Sequence, residues 1–391
     1  MKPTVTSWSA GSPSELTEAQ ETLRRFNERV DGAIAGRPPT KEWVKRALHH
    51  GGAERCPVRI RRLSHDIILR YGDALADLFC EYPDDAVFAQ AYDIFIGYQP
   101  PSVRERTDPL QVLTQEASWI DEWGTGWRHA AGGVGASTIS YPLPDWSQLD
   151  NYLAERMPDP QAPGRLDGAL PALRLHGDTR YFCGMTHLAL FERLHCLRGM
   201  ENAFEDFYLY PEQVDRLLGA LTDYQVEIVR AWGRLGNVDG WFVTDDWGTQ
   251  TSLMISPELW RKFFAARYRR LCDEAHRCGI DVIFHSCGNV TAIVGDLIDA
   301  GVDVIDPLQP EAMDLQQIAR DYGGKVAFCG GISDQELAVF TVSQVWDHVR
   351  RTIDALGRAF GNAYIVAPSN VLLPDIPLEN IRALFEAAHA P

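Results

Sequence analysis

The second half of the chain repeats one rhythm, an apolar run, a polar tip and a helix. Gly240–Thr244 ends in Asp245-Asp246-Trp247-Gly248, and Ser256-Pro257-Glu258 opens a helix that Gly279 stops. Asp281–His285 follows, with a helix over 290–300 stopped at Gly301. Val302–Asp306 ends in Pro307-Leu308-Gln309, and a helix starts near Asp314. Lys325–Cys329 is closed by Gly330-Gly331 and followed by a helix over 342–356. Ala363–Ala367 ends in Pro368-Ser369-Asn370, and the last helix starts at Pro377. Short apolar runs bounded by Gly and Pro read as buried strands, and strands alternating with helices build a parallel sheet. A closed (β/α)8 barrel brings all the polar tips to one mouth. A doubly wound sheet confines a site to one switch point and leaves most of the tips without a purpose. No Gly-rich fingerprint opens a helix after the first strand. The expected fold is α/β, a TIM (β/α)8 barrel with an N-terminal helical extension and long loops over the mouth.

The first half completes this plan. Leu16, Leu23, Phe26 and Val30 have helical spacing, Arg37-Pro38-Pro39-Thr40 breaks the helix, and a second one runs to about His49. Residues 1–50 are the expected extension and 51–391 the barrel. Pro57–Ile60 reads as a first strand, Asp66–Cys80 as a helix, and Asp85–Tyr92 as leading into another strand. Arg180–Gly184 reads as a strand, 186–200 as a helix, and Pro211 opens a long helix to about Leu235. The region 97–175 is rich in Trp, Gly and Pro, with Trp119, Trp123, Trp127 and the run Gly132-Gly133-Val134-Gly135. It reads as long loops and a hairpin draped over one end, and loops this long are usually functional.

Composition narrows the partners. With 37 basic against 54 acidic residues the formal net charge is -17, which argues against a nucleic-acid groove or an anionic membrane surface. The segment from Met1 to Ser14 lacks the apolar core of a signal peptide, and no apolar run reaches the length of a membrane span. A soluble, cytoplasmic chain acting on a small molecule is expected. A homodimer is left open, since no exposed interface pattern is legible. The eight cysteines are scattered and read mostly as small buried hydrophobes.

Chemistry concentrates in Asp281-Val282-Ile283-Phe284-His285-Ser286-Cys287-Gly288-Asn289-Val290. Residues two apart on a strand share a face, so His285 and Cys287 face one way and Ser286 the other. Taken alone, the pair is equally a hydrogen-bonded histidine beside a buried thiol. Asp245 and Asp246 are adjacent and face opposite ways, so one is expected at the mouth as a catalytic or orienting carboxylate, the alternative being a helix-capping or barrel-closing role. Asn289, Gln309 and Asn370 are candidate substrate-lining groups, with Asn289 also a candidate cap. Trp247 and Tyr141, with Trp123, are candidates for an apolar wall against a planar ligand, the alternative being core packing. Glu192 and His195 read as partners of a structural ion pair with a neighbouring Arg.

Taken together, Thr244-Asp245-Asp246-Trp247-Gly248-Thr249-Gln250, Ile255-Ser256-Pro257-Glu258, His285-Ser286-Cys287-Gly288-Asn289, Gly330-Gly331-Ile332 and Leu373-Pro374-Asp375-Ile376-Pro377-Leu378-Glu379-Asn380 resemble the uroporphyrinogen decarboxylase-like family. Asp121-Glu122-Trp123-Gly124 and Phe191-Glu192-Arg193 fit the same picture, and the resemblance covers roughly residues 40–388. It implies a TIM barrel with a cleft at the carboxyl ends of the strands. It also implies one of two chemistries, metal-free decarboxylation of uroporphyrinogen or zinc-dependent methyl transfer between a corrinoid and a thiol or folate. The decarboxylases resemble one another in an Arg-rich segment near the N-terminus that binds propionates. Its nearest counterpart here, Pro57 to Arg62, lacks the glycine and glutamine. The methyltransferases hold zinc with a His-x-Cys pair, matched by His285 and Cys287, and a distant Cys. The last strand's loop, Ala367-Pro368-Ser369-Asn370, has no Cys, so Cys329 is the expected third ligand. The resemblance thus implies zinc, a corrinoid on a partner protein as methyl donor, and a carboxy-lyase as the alternative activity.

Overall fold

The computed structural model describes residues 13–92, 96–100, 116–130 and 135–390. Its strands are β1 (Ala86–Gln90), β2 (Ala117–Ile120), β3 (Gly126–His129), β4 (Ala136–Ser140), β5 (Tyr181–Thr186), β6 (Gly240–Thr244), β7 (Asp281–His285), β8 (Val304–Leu308), β9 (Ala327–Ile332) and β10 (Tyr364–Pro368). Seven of them form one curled sheet in the order β1-β5-β6-β7-β8-β9-β10, and every neighbouring pair is parallel.

The segment expected as the first strand closes the ring. Arg59 N donates to Val366 O at 2.9 Å and Val366 N to Pro57 O at 2.8 Å, while Asp85 N donates to Val58 O at 2.9 Å. Residues 57–60 therefore stand between β10 and the start of β1 as an eighth stave. They do not make a regular strand because side chains replace the ladder there. Asp85 accepts from Val58 N at 2.9 Å, and Asp84 accepts from Ile60 N and Arg61 N at 2.8 and 2.9 Å. Pro57 has no N–H to offer.

The alternation of side chains sorts the core into two layers. Ala86, Tyr181, Cys183, Phe242, Ile283, Val304, Ala327, Cys329, Ile365 and Ala367 fill the barrel interior, joined by Phe88 and Met185. The intervening residues, among them Phe182, Trp241, Val243, Phe284 and Val366, pack outward against the helices. Strands buried on both faces explain why these runs are apolar throughout.

The residues expected as an extension are built into this core. The helix Pro13–Ala35 buries Phe26, Val30 and Ile34, and the helix Lys41–Leu48 plugs the barrel floor with Val44 and Leu48. Lys41 Nζ lies 2.9 Å and Lys45 Nζ 3.4 Å from Asp239, and His49 Nε2 lies 2.8 Å from Asp281. Asp281, with Asp303 nearby, raises the His49 pKa above its ordinary value against the opposing effects of partial burial and Lys45. A histidine with a raised folded pKa stabilises the fold below its unfolded value, about 6.5, and loses that contribution as pH rises through the folded value. Urea unfolding of His49→Gln should therefore lose the alkaline decline that wild type has just above about pH 6.5, an effect under about 1 kcal/mol because the ring is half exposed.

Within 97–175 the hairpin is a three-stranded antiparallel sheet, β2-β3-β4. Trp123 and Trp127 are buried packing residues, with Arg193 4.4 Å above the Trp123 ring. The Gly132-Gly133-Val134 run lies outside the described residues. No helix among the described residues is long and apolar enough to cross a membrane.

Candidate metal centre

The tips of β6 and β7 are tied together by their own loops. Ser286 turns away from the interior, and its hydroxyl accepts from Trp247 N at 2.8 Å. Gly248 N donates to Cys287 O at 3.2 Å, and Asn289 N to Thr249 O at 2.7 Å. At Gly248 the backbones meet so closely that a Cβ would fall 2.5 Å from both Cys287 O and Asn289 N. Gly288 has φ +79°, a conformation suited to glycine. Its turn presents Cys287 directly above His285.

Three ligand atoms gather there. His285 Nε2 lies 3.5 Å from Cys287 Sγ and 3.9 Å from Asp246 Oδ1. Asp246, His285 and Cys287 place one donor atom each within 4.8 Å of one another. Asp246 is held in place by Cys287 N, which donates to Oδ1 at 2.8 Å. In a tetrahedral zinc site with bonds of about 2.0–2.3 Å, neighbouring ligand atoms lie about 3.3–3.8 Å apart. The donor set, one imidazole, one thiol and one carboxylate, fits such an ion with only small side-chain adjustments.

Beneath the group lies Asp306, fully buried. Its Oδ1 is 2.6 Å from His285 Nδ1 and 3.3 Å from Arg62 Nη1. Burial alone would raise the Asp306 pKa, but Arg62 and His285 hold it well below the usual carboxylate range. Burial alone would lower the His285 pKa, but Cys287 and Asp306 outweigh it and raise it to about 10.

Cys329 is not brought to this group. It pairs with Ile365 in the β9–β10 ladder, level with Asp306 and one pleat below Cys287, among apolar interior side chains. Burial, reinforced by Asp306, pushes its thiol well above the ordinary value, and it is not among the side chains whose donor atoms gather with His285 and Cys287. The third side chain gathered with His285 and Cys287 is Asp246.

Asp245 is likewise not in the site. It is fully buried and accepts from the backbone N–H groups of Leu190, Phe191 and Glu192 at 3.3, 3.0 and 2.7 Å, and from the Tyr268 hydroxyl. Burial pushes it up to about 7 against these donors. This cap sets the start of the helix Phe191–Arg198, later than the expected start at 186.

Trp247 is core, stacked on Phe191 at 4.4 Å. Tyr141 is partly exposed at the end of β4 and packs beside Gly199. The Asn370 side chain accepts from Val371 N at 2.8 Å within its own exposed turn. Gln309 Oε1 accepts from Gly288 N and so supports the Cys287 turn. Asn289 accepts from Thr291 N at 3.1 Å and lines a separate apolar hollow of about 690 Å3 with Phe204, Phe207, Tyr208 and Met254.

The structure also directs to the mouth groups that the sequence reading leaves aside. Glu192 makes no ion pair with an Arg among the described residues. Its Oε2 accepts from Thr244 Oγ1 at 3.0 Å, and burial together with Asp246 and Asp245 raises its pKa well above the ordinary value. His187 is buried with both ring nitrogens unpartnered, and burial lowers it to about 3. Tyr181, Cys183 and Met185 alternate into the interior, so period two carried on from them points His187 there as well. Arg59 lies 3.9 Å above the Phe88 ring, and its Nη1 is buried without a hydrogen-bond partner.

Comparison with known proteins agrees with this architecture. A solved methyltransferase from Methanosarcina mazei superposes with a TM-score of 0.61 over 90% of this chain and 98% of its own, at 16% identity, a likeness of fold. The methylcobamide:CoM methyltransferase MtaA of Methanosarcina barkeri is 24% identical over 135 residues, 34% of this chain and 37% of that protein. The chain thus matches little more than a third of that relative's length. The family described as uroporphyrinogen decarboxylase (URO-D) matches residues 189–391, just over half of the chain, including β6 to β10 and every residue of the ligand group. This chain belongs to the uroporphyrinogen decarboxylase (URO-D) family.

Proposed function

We propose that the chain is a zinc-dependent methyltransferase, moving a methyl group between a methylated corrinoid on a partner protein and a thiol or tetrahydrofolate acceptor. The observation that carries this reading is the meeting of His285 Nε2, Cys287 Sγ and an Asp246 carboxylate oxygen at the mouth of the barrel. The partial likeness to a methylcobamide:CoM methyltransferase supports it. His285, Cys287 and Asp246 would hold the ion and leave a fourth position open. When bound, zinc supplies positive charge that favours the thiolate of an entering thiol at neutral pH.

The chain's own residues do the rest. Asp306 accepts a hydrogen bond from His285 Nδ1 and so aims Nε2 at the mouth. Cys287 N fixes Asp246, and the Gly248–Gly288 contact holds the two loops in register. Glu192, held by the Thr244 hydroxyl, lies near Asp246, and burial with the neighbouring carboxylates favours its neutral form.

One observation favours a second reading, a metal-free carboxy-lyase. Arg59 is a buried guanidinium with no ion pair among the described residues, the kind of group that receives a substrate carboxylate. Metal analysis and chelation separate the two. The first reading expects about one zinc per chain. Transfer from free methylcobalamin to a small thiol should fall on chelation and return with added zinc. A chelated chain that decarboxylates a tetrapyrrole carboxylate at an undiminished rate would overturn it in favour of the second.

A further inference from the structure

We infer that Arg62 and Asp306 act as a positioning pair, setting which ring nitrogen His285 offers to the metal. The inference rests on the metal reading above and adds two residues that are not themselves ligands.

Asp306 is 0% exposed and Arg62 is nearly as deep, with a side chain 11% exposed. The two oxygens of Asp306 lie 3.3 and 3.5 Å from Arg62 Nη1, and Oδ1 is also 2.6 Å from His285 Nδ1. A contact that short between a carboxylate oxygen and a ring nitrogen requires a proton between them, and the carboxylate is the acceptor. Nδ1 therefore carries its hydrogen. Arg62 Nη2 also approaches Nδ1, at 3.1 Å, but with Nδ1 carrying its hydrogen this is a meeting of two donors, and Arg62 holds Asp306 through Nη1. With Nδ1 committed to Asp306, Nε2 is the ring nitrogen left for a metal, and it is the one directed at Cys287 Sγ and Asp246. Carboxylate partners of ligating histidines act in this way, fixing tautomer and ring direction.

Arg62 enters from the far end of the chain. It follows the irregular stave 57–60, whose register is set by Asp84, Asp85 and Val366. Closing the ring therefore places the counter-charge under Asp306, and barrel closure and metal affinity become one event. A carboxylate this deep would lose its guanidinium counter-charge without Arg62.

Cobalt(II) titration of the metal-free full-length chain tests this, with wild type, Asp306→Asn, Arg62→Gln and Arg62→Lys side by side. Wild type is expected to show a thiolate-to-cobalt charge-transfer band together with visible ligand-field bands. Asp306→Asn should bind about 10–100-fold more weakly, with shifted ligand-field bands but a retained charge-transfer band, because Cys287 still ligates. Arg62→Gln should weaken binding in the same direction, and Arg62→Lys should recover part of the loss. Urea unfolding of the metal-free forms reports whether each variant is folded. If Asp306→Asn does not fold, the two Arg62 variants carry the test. Folded variants with wild-type affinity and spectrum overturn the positioning pair and leave the metal reading standing. Wild type that takes up no cobalt overturns both. Parallel loss of all bands, without a shift, also overturns it, since that marks only a structural lesion.

Discussion

Cys287→Ser is expected to abolish metal retention while leaving the barrel folded. Cys287 is the only thiol in the ligand group, and serine at neutral pH offers no thiolate. Its backbone N–H, which holds Asp246 at 2.8 Å, survives the substitution, as does the Gly288 turn. The loss should therefore appear in metal content and not in the unfolding curve. Bound zinc should drop to a small fraction of one per chain, and methyl transfer should fall by at least about 100-fold, because the remaining imidazole and carboxylate make a weak site for a borderline-soft ion. Metal analysis of the purified variant with urea unfolding alongside gives both readings. Wild-type zinc content in Cys287→Ser would exclude this thiol as a ligand. Cys329→Ser is the informative companion, and it should retain the metal because Cys329 stands outside the group.

The two adjacent aspartates should behave as opposites. Asp245→Ala removes the acceptor shared by three backbone N–H groups and the Tyr268 hydroxyl, all in a buried site. Leaving such donors unpaired should cost about 3–5 kcal/mol of stability, read as a shift of the urea midpoint. Asp245→Asn keeps an acceptor oxygen and should cost only about 1 kcal/mol. Asp246→Ala, whose side chain is 36% exposed, should leave the midpoint within about 0.5 kcal/mol and instead remove the metal. Equal destabilisation by the two alanine variants would contradict the assignment of one as cap and the other as ligand.

Much of this protein is legible in the chain itself. The long helix from Pro211, the strand Gly240–Thr244 and the helix over 342–356 stand where their sequences place them, as does the cap at Ser256. Elsewhere tertiary contacts move the boundaries. The helix expected at 186 begins at Phe191 because Asp245, more than fifty residues away, supplies its cap. The expected first strand becomes a bridged stave because Asp84 and Asp85 take the N–H groups a ladder would have used.

By itself the sequence determined the alternation that closes a barrel, and it determined that His285 and Cys287 share a face. Both follow from local periodicity, a property of neighbouring residues. Only the tertiary structure decided that Asp246 stands beside His285 and Cys287, that Cys329 lies one layer deeper, and that Asp245 caps the helix from Phe191. Those choices depend on strand register and on which buried donors go unmet elsewhere in the chain, and no local pattern encodes either.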